Sequence, residues 1–209
     1  MTRRIADDDR GRAEAIDVLR RGGIVAIPTD TVYGLAAALD VPGAIDRLFD
    51  AKGRPPDRAI AVLLADLEQA ESLGALSPAA RTLGAAFWPG GLTLVVAQRA
   101  ERPLPAELTG GRATIGIRVP DHPAPRAIAA ALGPLPTTSA NLSGEPELRD
   151  AAEIEARFGD RIDLILDGGP APGGRPSTVV DVSSDLPRVL REGAVPAEAV
   201  ESRLRDMGR

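Results

Sequence analysis

Ile24-Val25-Ala26-Ile27 is an unbroken apolar run between Gly22-Gly23 and Pro28. A run of this length, apolar at every position, reads as one strand buried on both faces. Pro28 lacks a ladder donor and ends it. Thr29-Asp30-Thr31 then throws three short polar side chains from the strand end, and Tyr33 and Gly34 close the turn. In open α/β sheets such strand ends are where ligands bind. About twenty residues on, Lys52-Gly53-Arg54-Pro55 follows a short helical pattern. Hydroxyls faced by a Lys and an Arg suit a phosphate or a carboxylate. They also suit a Thr-rich turn beside a solvated helix end, and this stretch alone does not separate the two.

The rest of the chain alternates between helical and extended patterns. Residues 10–21 place Ala13, Ile16 and Leu19 on one side of a helix. Residues 44–51 turn Ile45, Leu48 and Phe49 inward and deliver Lys52 at the helix C-terminus, where a cation also compensates the dipole. Further helices are predicted at 66–73, at 77–87 with Ser77 as cap and Pro78 in the first turn, and at 124–132, 150–158 and 197–206. Strands are predicted at 59–64, 92–97, 113–119, from 135, and at 162–166, 177–182 and 188–191, with a loop over 99–112. In 113–119 Ile115, Ile117 and Val119 face one way, and Thr114, Gly116 and Arg118 the other. No linker, repeat or charge block interrupts the pattern. The expectation is a single α/β domain over 1–209, a twisted mixed parallel and antiparallel sheet of about seven strands with flanking helices.

Composition narrows the function classes. The chain has 209 residues, of which 44% are hydrophobic and 26% charged, enough for one sizeable core. No apolar run approaches the roughly 20 residues of a spanning helix, and the N-terminus has no apolar signal region, so a cytoplasmic protein off the membrane is expected. With no cysteine and one histidine, His122, thiolate and multi-His metal sites are excluded. The net charge of −5 and only 2% aromatic residues argue against a general nucleic-acid surface. Of 25 basic residues Lys52 is the only lysine. An ammonium is a compact point charge where a guanidinium is a planar fork, and the single exception sits in the basic turn.

Leu135-Pro-Thr-Thr-Ser-Ala-Asn-Leu-Ser-Gly144 echoes the opening segment, as a short strand ending in hydroxyls. Ser139 and Asn141, like Lys52 and Arg54, are two polar residues spaced to share a face. With Thr31, Arg118 and Arg191 they describe an anion-binding cleft rich in hydroxyls. No activated nucleophile accompanies them, which favours chemistry in which substrates react with each other and the protein positions them and stabilises charge. The connection Gly168–Gly174 has the glycine spacing of a phosphate loop, but Arg175 and Pro176 replace its Lys and Ser/Thr, and a strand follows. It is read as a mobile connection. His122 is read as a cap or packing residue, and Trp88 as a core anchor.

These blocks are similar to a known family. Pro28–Gly34, Lys52-Gly-Arg-Pro55, Trp88-Pro-Gly-Gly-Leu-Thr93, Ile117-Arg-Val-Pro120, Ser139–Gly144, Pro176–Asp181 and Leu190-Arg-Glu-Gly193 resemble, in order, the signature blocks of the YrdC/TsaC family, the threonylcarbamoyl-AMP synthases. The resemblance covers about residues 10–195, the motif-bearing core. It implies a YrdC-like fold and a nucleotidyltransferase reaction of L-threonine, bicarbonate or CO2, and ATP. The products are threonylcarbamoyl-adenylate and pyrophosphate. A separate threonylcarbamoyl-transferase complex then uses the adenylate to form N6-threonylcarbamoyladenosine in tRNA.

Carried over position by position, the resemblance assigns Lys52, Arg54, Ser139 and Asn141 to catalysis. It assigns Thr31, Arg118 and Ser177 to threonine, and Arg54, Arg58, Thr114, Ser139 and Arg191 to ATP. It implies no tightly bound cofactor and no protein metal site, with Mg2+ arriving on ATP, and at most a weak contact with tRNA. Two departures stand out: Leu63 replaces a His that touches threonine in many relatives, and Glu147-Leu148-Arg149 replaces a Ser-Pro-Thr-like stretch. The likeness is to the short form, without the linker and extra C-terminal domain that help to cover the nucleotide in the long form. The competing reading is an RNA-binding or ribosome-maturation factor using the same concave face.

Overall fold

The computed structural model of the chain describes residues 2–55, 58–101, 103–172 and 174–207. In chain order its elements are β1 (Arg3–Ala6), α1 (Asp9–Arg20), β2 (Val25–Ile27), β3 (Gly34–Ala36), α2 (Ala44–Lys52), β4 (Ala61–Leu63), α3 (Leu67–Leu73), β5 (Gly74–Ala75), α4 (Pro78–Phe87) and β6 (Leu92–Gln98). They continue with α5 (Ala106–Thr109), β7 (Thr114–Arg118), α6 (Pro123–Leu132), β8 (Leu135–Ser139), α7 (Ala151–Phe158), β9 (Leu164–Asp167), β10 (Thr178–Asp181), β11 (Arg188–Arg191) and α8 (Ala197–Asp206). The helices start where their caps direct. Asp8, Asp66, Ser77 and Asp150 each accept a first-turn backbone N–H with the side chain, each such cap contributing about 1 kcal/mol. His122 caps α6 in the same way, its Nδ1 accepting from Ala124 N at 3.2 Å. Trp88 packs on the core and satisfies its one polar atom by donating to Leu92 O at 2.6 Å.

One mixed sheet runs in the order β1-β9-β2-β3-β8-β4-β7-β6-β10-β11, with β5 attached to β6. Its parallel pairs are β1–β9, β9–β2, β4–β7 and β6–β10, and the others are antiparallel. The mixed α/β class expected from the sequence is the one observed, but the strand number of about seven is too low: eleven are present among the described residues. Eight of them fall on the extended segments read from the sequence, and the additional strands are β1, β3 and β5. β1 is Arg-Arg-Ile-Ala on an exposed edge, β3 is Gly-Leu-Ala without a β-branched residue, and β5 is two residues long. β1 and β5 carry neither the apolar nor the alternating pattern by which strands are recognised, and β3, though apolar and buried, is built of Gly, Leu and Ala, which do not favour a strand. The expected loop at 99–112 contains the single turn α5, and Gly173, within the expected mobile connection, lies outside the described residues.

The two faces of the sheet are covered unequally. Ile24 and Ala26 point to one face, and Val25 and Ile27 to the other. All four are fully buried, as their unbroken apolar run requires. The first face is packed by α2, α3, α4, α5, α7 and α8 along its whole width, through residues such as Leu48, Leu73, Leu83, Leu108, Ile154 and Val200. Among the described residues the second is packed only by α1 and α6, whose Val18, Leu19 and Ile128 lie over Val25, Ile27, Ala36, Leu63, Leu135 and Leu164. That cover ends at β4, and beyond it the same face lies open. Among the described residues no helix is long and apolar enough to cross a membrane.

The far rim of the open face is fixed by the turn after β11. Gly193 N donates to Thr178 Oγ1 at 2.8 Å and Ala194 N to Pro176 O at 2.9 Å, so the turn lies flat against residues 176–178. A Cβ on Gly193 would stand 2.1 Å from Pro176 O and 2.6 Å from the Ser177 carbonyl. These are backbone atoms that cannot rotate away. Gly193→Ala is therefore expected to cost about 1–3 kcal/mol, lowering the melting temperature by about 2–4 °C per kcal/mol. Gly116→Ala, whose new Cβ meets nothing closer than 3.4 Å, should melt near the wild type in the same thermal scan.

Candidate functional site

The open half of the second face is the floor of a cleft of about 570 Å³. Directly paired residues cross this floor in one row over six strands: Thr137 with Ala61, Ala61 with Gly116, Gly116 with Val95, Val95 with Asp181, and Asp181 with Arg188. Small side chains at Ala61 and Gly116 keep its centre low. Neighbouring positions contribute Leu63, Thr93, Thr114, Arg118 and Val179. The alternation read in β7 holds, because Ile115 and Ile117 enter the core while Thr114, Gly116 and Arg118 line the cleft. The site thus lies on a sheet face, not at strand tips. The expected strand-end clusters, Thr29 with Thr31–Gly34, and Ser139, form its rim.

β11 reaches the cleft through an irregularity. Strict alternation would place Arg188 and Arg191 on opposite faces. Arg188 pairs with Asp181 and Val189 with Val180, but Val179 pairs with Arg191, so Leu190 is an extra residue on that strand. A bulge of this kind re-aims the side chains beyond it. Arg191 joins Arg188 on the cleft side, and Leu190, 54% exposed, stands at the lip.

At one end of the cleft Arg118 is buried, with 5% of its surface exposed. Its guanidinium donates from Nε to Gly90 O at 2.9 Å, from one terminal nitrogen to Thr31 Oγ1 at 2.8 Å and from the other to Asp30 Oδ1 at 2.7 Å. Burial lowers its pKa from the usual arginine value and Asp30 opposes that shift. Of its five N–H groups, two remain for a ligand. Thr31 is set by Thr29, whose Oγ1 lies 3.1 Å from Thr31 Oγ1 and donates to Val32 O at 2.7 Å. Beside them Ser177 Oγ and Thr93 Oγ1 are 2.8 Å apart, and Arg191 donates to Ser177 O at 2.9 Å.

Lys52 occupies a different setting. Only 2% exposed, it sits behind the cleft wall and is not one of the residues lining it. Its ammonium donates to Ser139 O at 2.5 Å, Asn141 Oδ1 at 2.9 Å and Ser139 Oγ at 3.1 Å, which engages all three of its hydrogens. Asn141 is oriented by its own amide, which donates to Glu145 O at 2.6 Å and Leu142 O at 3.1 Å and so turns Oδ1 toward the lysine. Ser139 Oγ also donates to that Oδ1 at 2.6 Å. Burial first, and the nearby Arg54 second, lower the Lys52 pKa to about 8, with Glu147 opposing.

Thr31, Arg54, Thr114, Arg118, Ser139, Ser177 and Arg191 therefore line one cleft, with Lys52 and Asn141 directly behind Ser139. Arg54 is steered by bonds to Arg58 O at 3.1 Å and Ala59 O at 2.7 Å. The Arg58 side chain is exposed and outside the lining. Leu63 is buried on the floor, paired in register with Arg118. Arg112 and Arg188, which add two guanidiniums, Thr93 and the partner role of Asp30 lie beyond the residues expected from the sequence. Extending the β7 alternation back by two from Thr114 reaches Arg112. No such signal marks Arg188, because its placement depends on strand pairing. Among the described residues no group of three or more His, Asp or Glu is placed to hold a metal ion.

A family model named Sua5_yciO_yrdC, described as telomere recombination, matches residues 17–193. The threonylcarbamoyl-AMP synthase of Bacillus subtilis is 39% identical over 204 residues, covering 97% of this chain and 59% of that protein. The threonylcarbamoyl-AMP synthase of Chromohalobacter salexigens is 39% identical over 175 residues, covering 82% of this chain and 92% of that protein. The crystal structure of P. abyssi Sua5 complexed with L-threonine matches with a TM-score of 0.89 at 35% identity, over 98% of this chain and 60% of that one. The chain thus spans about three fifths of the two longer relatives and nearly all of the shorter.

The Lys52 setting predicts a pH dependence with a definite sign. Its pKa is about 8 in the native state against the usual 10.5. Below pH 8 both folded and unfolded chains hold the proton, and the buried charge weakens the fold by a constant amount. Between the two values the unfolded chain holds the proton and the native chain releases it, so stability rises with pH. Urea titrations across this window should show wild type gaining stability relative to Lys52→Met. As Lys52 is the only lysine, no other lysine confuses the comparison. A flat difference would mean that its pKa is not depressed.

Proposed function

The chain belongs to the Sua5/YciO/YrdC family, and on that premise we propose that it is a nucleotidyltransferase that makes threonylcarbamoyl-AMP and pyrophosphate from L-threonine, CO2 or bicarbonate, and ATP. The observation that carries this reading is the presence of two unlike anion sites on one cleft floor. Arg118 is buried and hydrogen-bonded, beside the hydroxyls of Thr31 and Ser177. Arg112, Arg188 and Arg191 line the same cleft as exposed guanidiniums, with Arg54. A buried fork with two N–H groups to spare suits one carboxylate, and several exposed cations suit a polyphosphate.

In the proposed reaction the threonine carboxylate takes the remaining Arg118 N–H groups. The threonine ammonium gives one proton to solvent, and the free amine forms an N–C bond to CO2 as one C=O electron pair moves onto oxygen. The nitrogen then gives a second proton to solvent to leave the carbamate. An oxygen of the resulting carbamate attacks the α-phosphorus of ATP, and the bond to the β-phosphate breaks to release pyrophosphate. No protein nucleophile is needed, and the work of the protein is to align the reactants and offset charge. Arg54, Arg191, Thr114 and Ser139 hold the nucleotide, whereas Arg58, exposed and outside the lining, is left out of that set. Lys52 and Asn141 act through Ser139, fixing its hydroxyl and placing a positive charge behind it. Mg2+ enters as part of the ATP substrate, bound by phosphate oxygens. The adenylate passes to a cytoplasmic threonylcarbamoyl-transferase for tRNA modification.

Pyrophosphate release that requires threonine, bicarbonate and ATP together would support this reading. Strong, salt-sensitive RNA binding without turnover would replace it. Within the same assay Arg118→Lys is expected to raise the threonine KM by about ten- to a hundred-fold, because a point charge cannot fill the fork, while the ATP KM changes little. An equal rise in both constants would place Arg118 outside the amino-acid site.

A further inference from the structure

Arg118 differs from the other guanidiniums of the cleft in being buried and in facing a carboxylate inside the fold. Asp30 Oδ1 accepts from it at 2.7 Å, and the two side chains are 6% and 17% exposed. Asp30 itself does not line the cleft; it stands behind Arg118, as Lys52 stands behind Ser139. The other cation felt at Arg118 is Arg191, which is exposed and so screened by water. The buried pair is therefore neutral before any ligand arrives.

Resting on the threonine reading, we propose that Asp30 sets the charge type of the amino-acid site by making Arg118 part of a neutral pair that accepts a zwitterion and rejects a simple anion. A zwitterion placing its carboxylate on the two remaining N–H groups leaves the buried total at zero. A carboxylate without an ammonium leaves a net negative charge against a buried pair, which is disfavoured. The same balance keeps phosphate groups off Arg118 and directs them to the exposed guanidiniums, so each substrate finds its own end of the cleft. Asp30 is a specificity-determining residue that acts through Arg118 and touches no reacting atom.

Asp30→Asn tests this, since it keeps the shape and an acceptor oxygen for Arg118 but removes the charge. Calorimetric titration of the full chain would use L-threonine and 2,3-dihydroxybutyrate, the same skeleton with a hydroxyl in place of the ammonium. The wild type should prefer threonine by about ten- to a hundred-fold, the size of a single charge effect at a buried group. In Asp30→Asn that preference should collapse or invert, with the hydroxy acid bound more tightly than by the wild type. Asp30→Glu, which keeps the charge, should retain the preference even where affinity falls. A wild-type chain that binds the hydroxy acid as well as threonine overturns the inference without any variant. An Asn variant with the wild-type ratio overturns it while leaving the proposed reaction intact. A wild-type chain that does not bind threonine at all defeats both.

Discussion

A wide sheet must have each apolar face covered, and here one face is covered across its width while the other is covered only as far as β4. What lies beyond β4 could not be left apolar in water. The cleft there is lined by Gly116, Ala61, six threonines and five guanidiniums, with the larger aliphatic side chains Val32, Ile60, Leu63, Val95, Val179 and Leu190 spread among them. The sheet is thus held as a rigid floor by helices on its reverse, and its front is given over to polar groups at fixed spacing. Strand pairing sets their positions to within the geometry of the ladder, which is why side chains far apart in sequence, such as Thr137 and Arg188, fall on one line.

Much of this was legible in the chain. The Ile24–Ile27 run, the alternation in β7, the helix caps at Ser77 and His122 and the hydroxyl-rich ends of β2 and β8 all carry local signals that survive folding. The strands that escaped notice have no such signal, because β1 is polar at an edge and β5 is too short for a period. The location of the site on a face was illegible for a different reason. It depends on how far α1 and α6 extend over the sheet, and that depends on strand order, which no local pattern encodes. The bulge at Leu190 belongs with these: Arg188-Val-Leu-Arg191 reads as simple alternation, and only the register against β10 reveals that both arginines share a face.

Lys52 and Arg118 are the two buried cations among the described residues, and the fold accommodates them in opposite ways. Arg118 is given a carboxylate, so its charge is cancelled locally. Lys52 is given three neutral oxygens and, among the described residues, no carboxylate within hydrogen-bond distance, so its charge is solvated but not cancelled, and its pKa falls. One end of the cleft is therefore balanced before a ligand arrives, whereas the wall at Ser139 has a positive charge behind it.

This asymmetry gives the lone lysine a physical reason. A guanidinium in its place would need a planar fork filled, and it would stay charged under all conditions. An ammonium fits three oxygens converging from a single turn, two from Ser139 and one from Asn141. Its pKa, lowered to about 8, also means that its charge responds to its surroundings: an anion arriving at Ser139 favours the protonated form and is itself held more firmly by it. The coupling is reciprocal, as any linkage between a proton and a ligand must be. Lys52 can hold the wall from behind and still take part in balancing the charge in front of it.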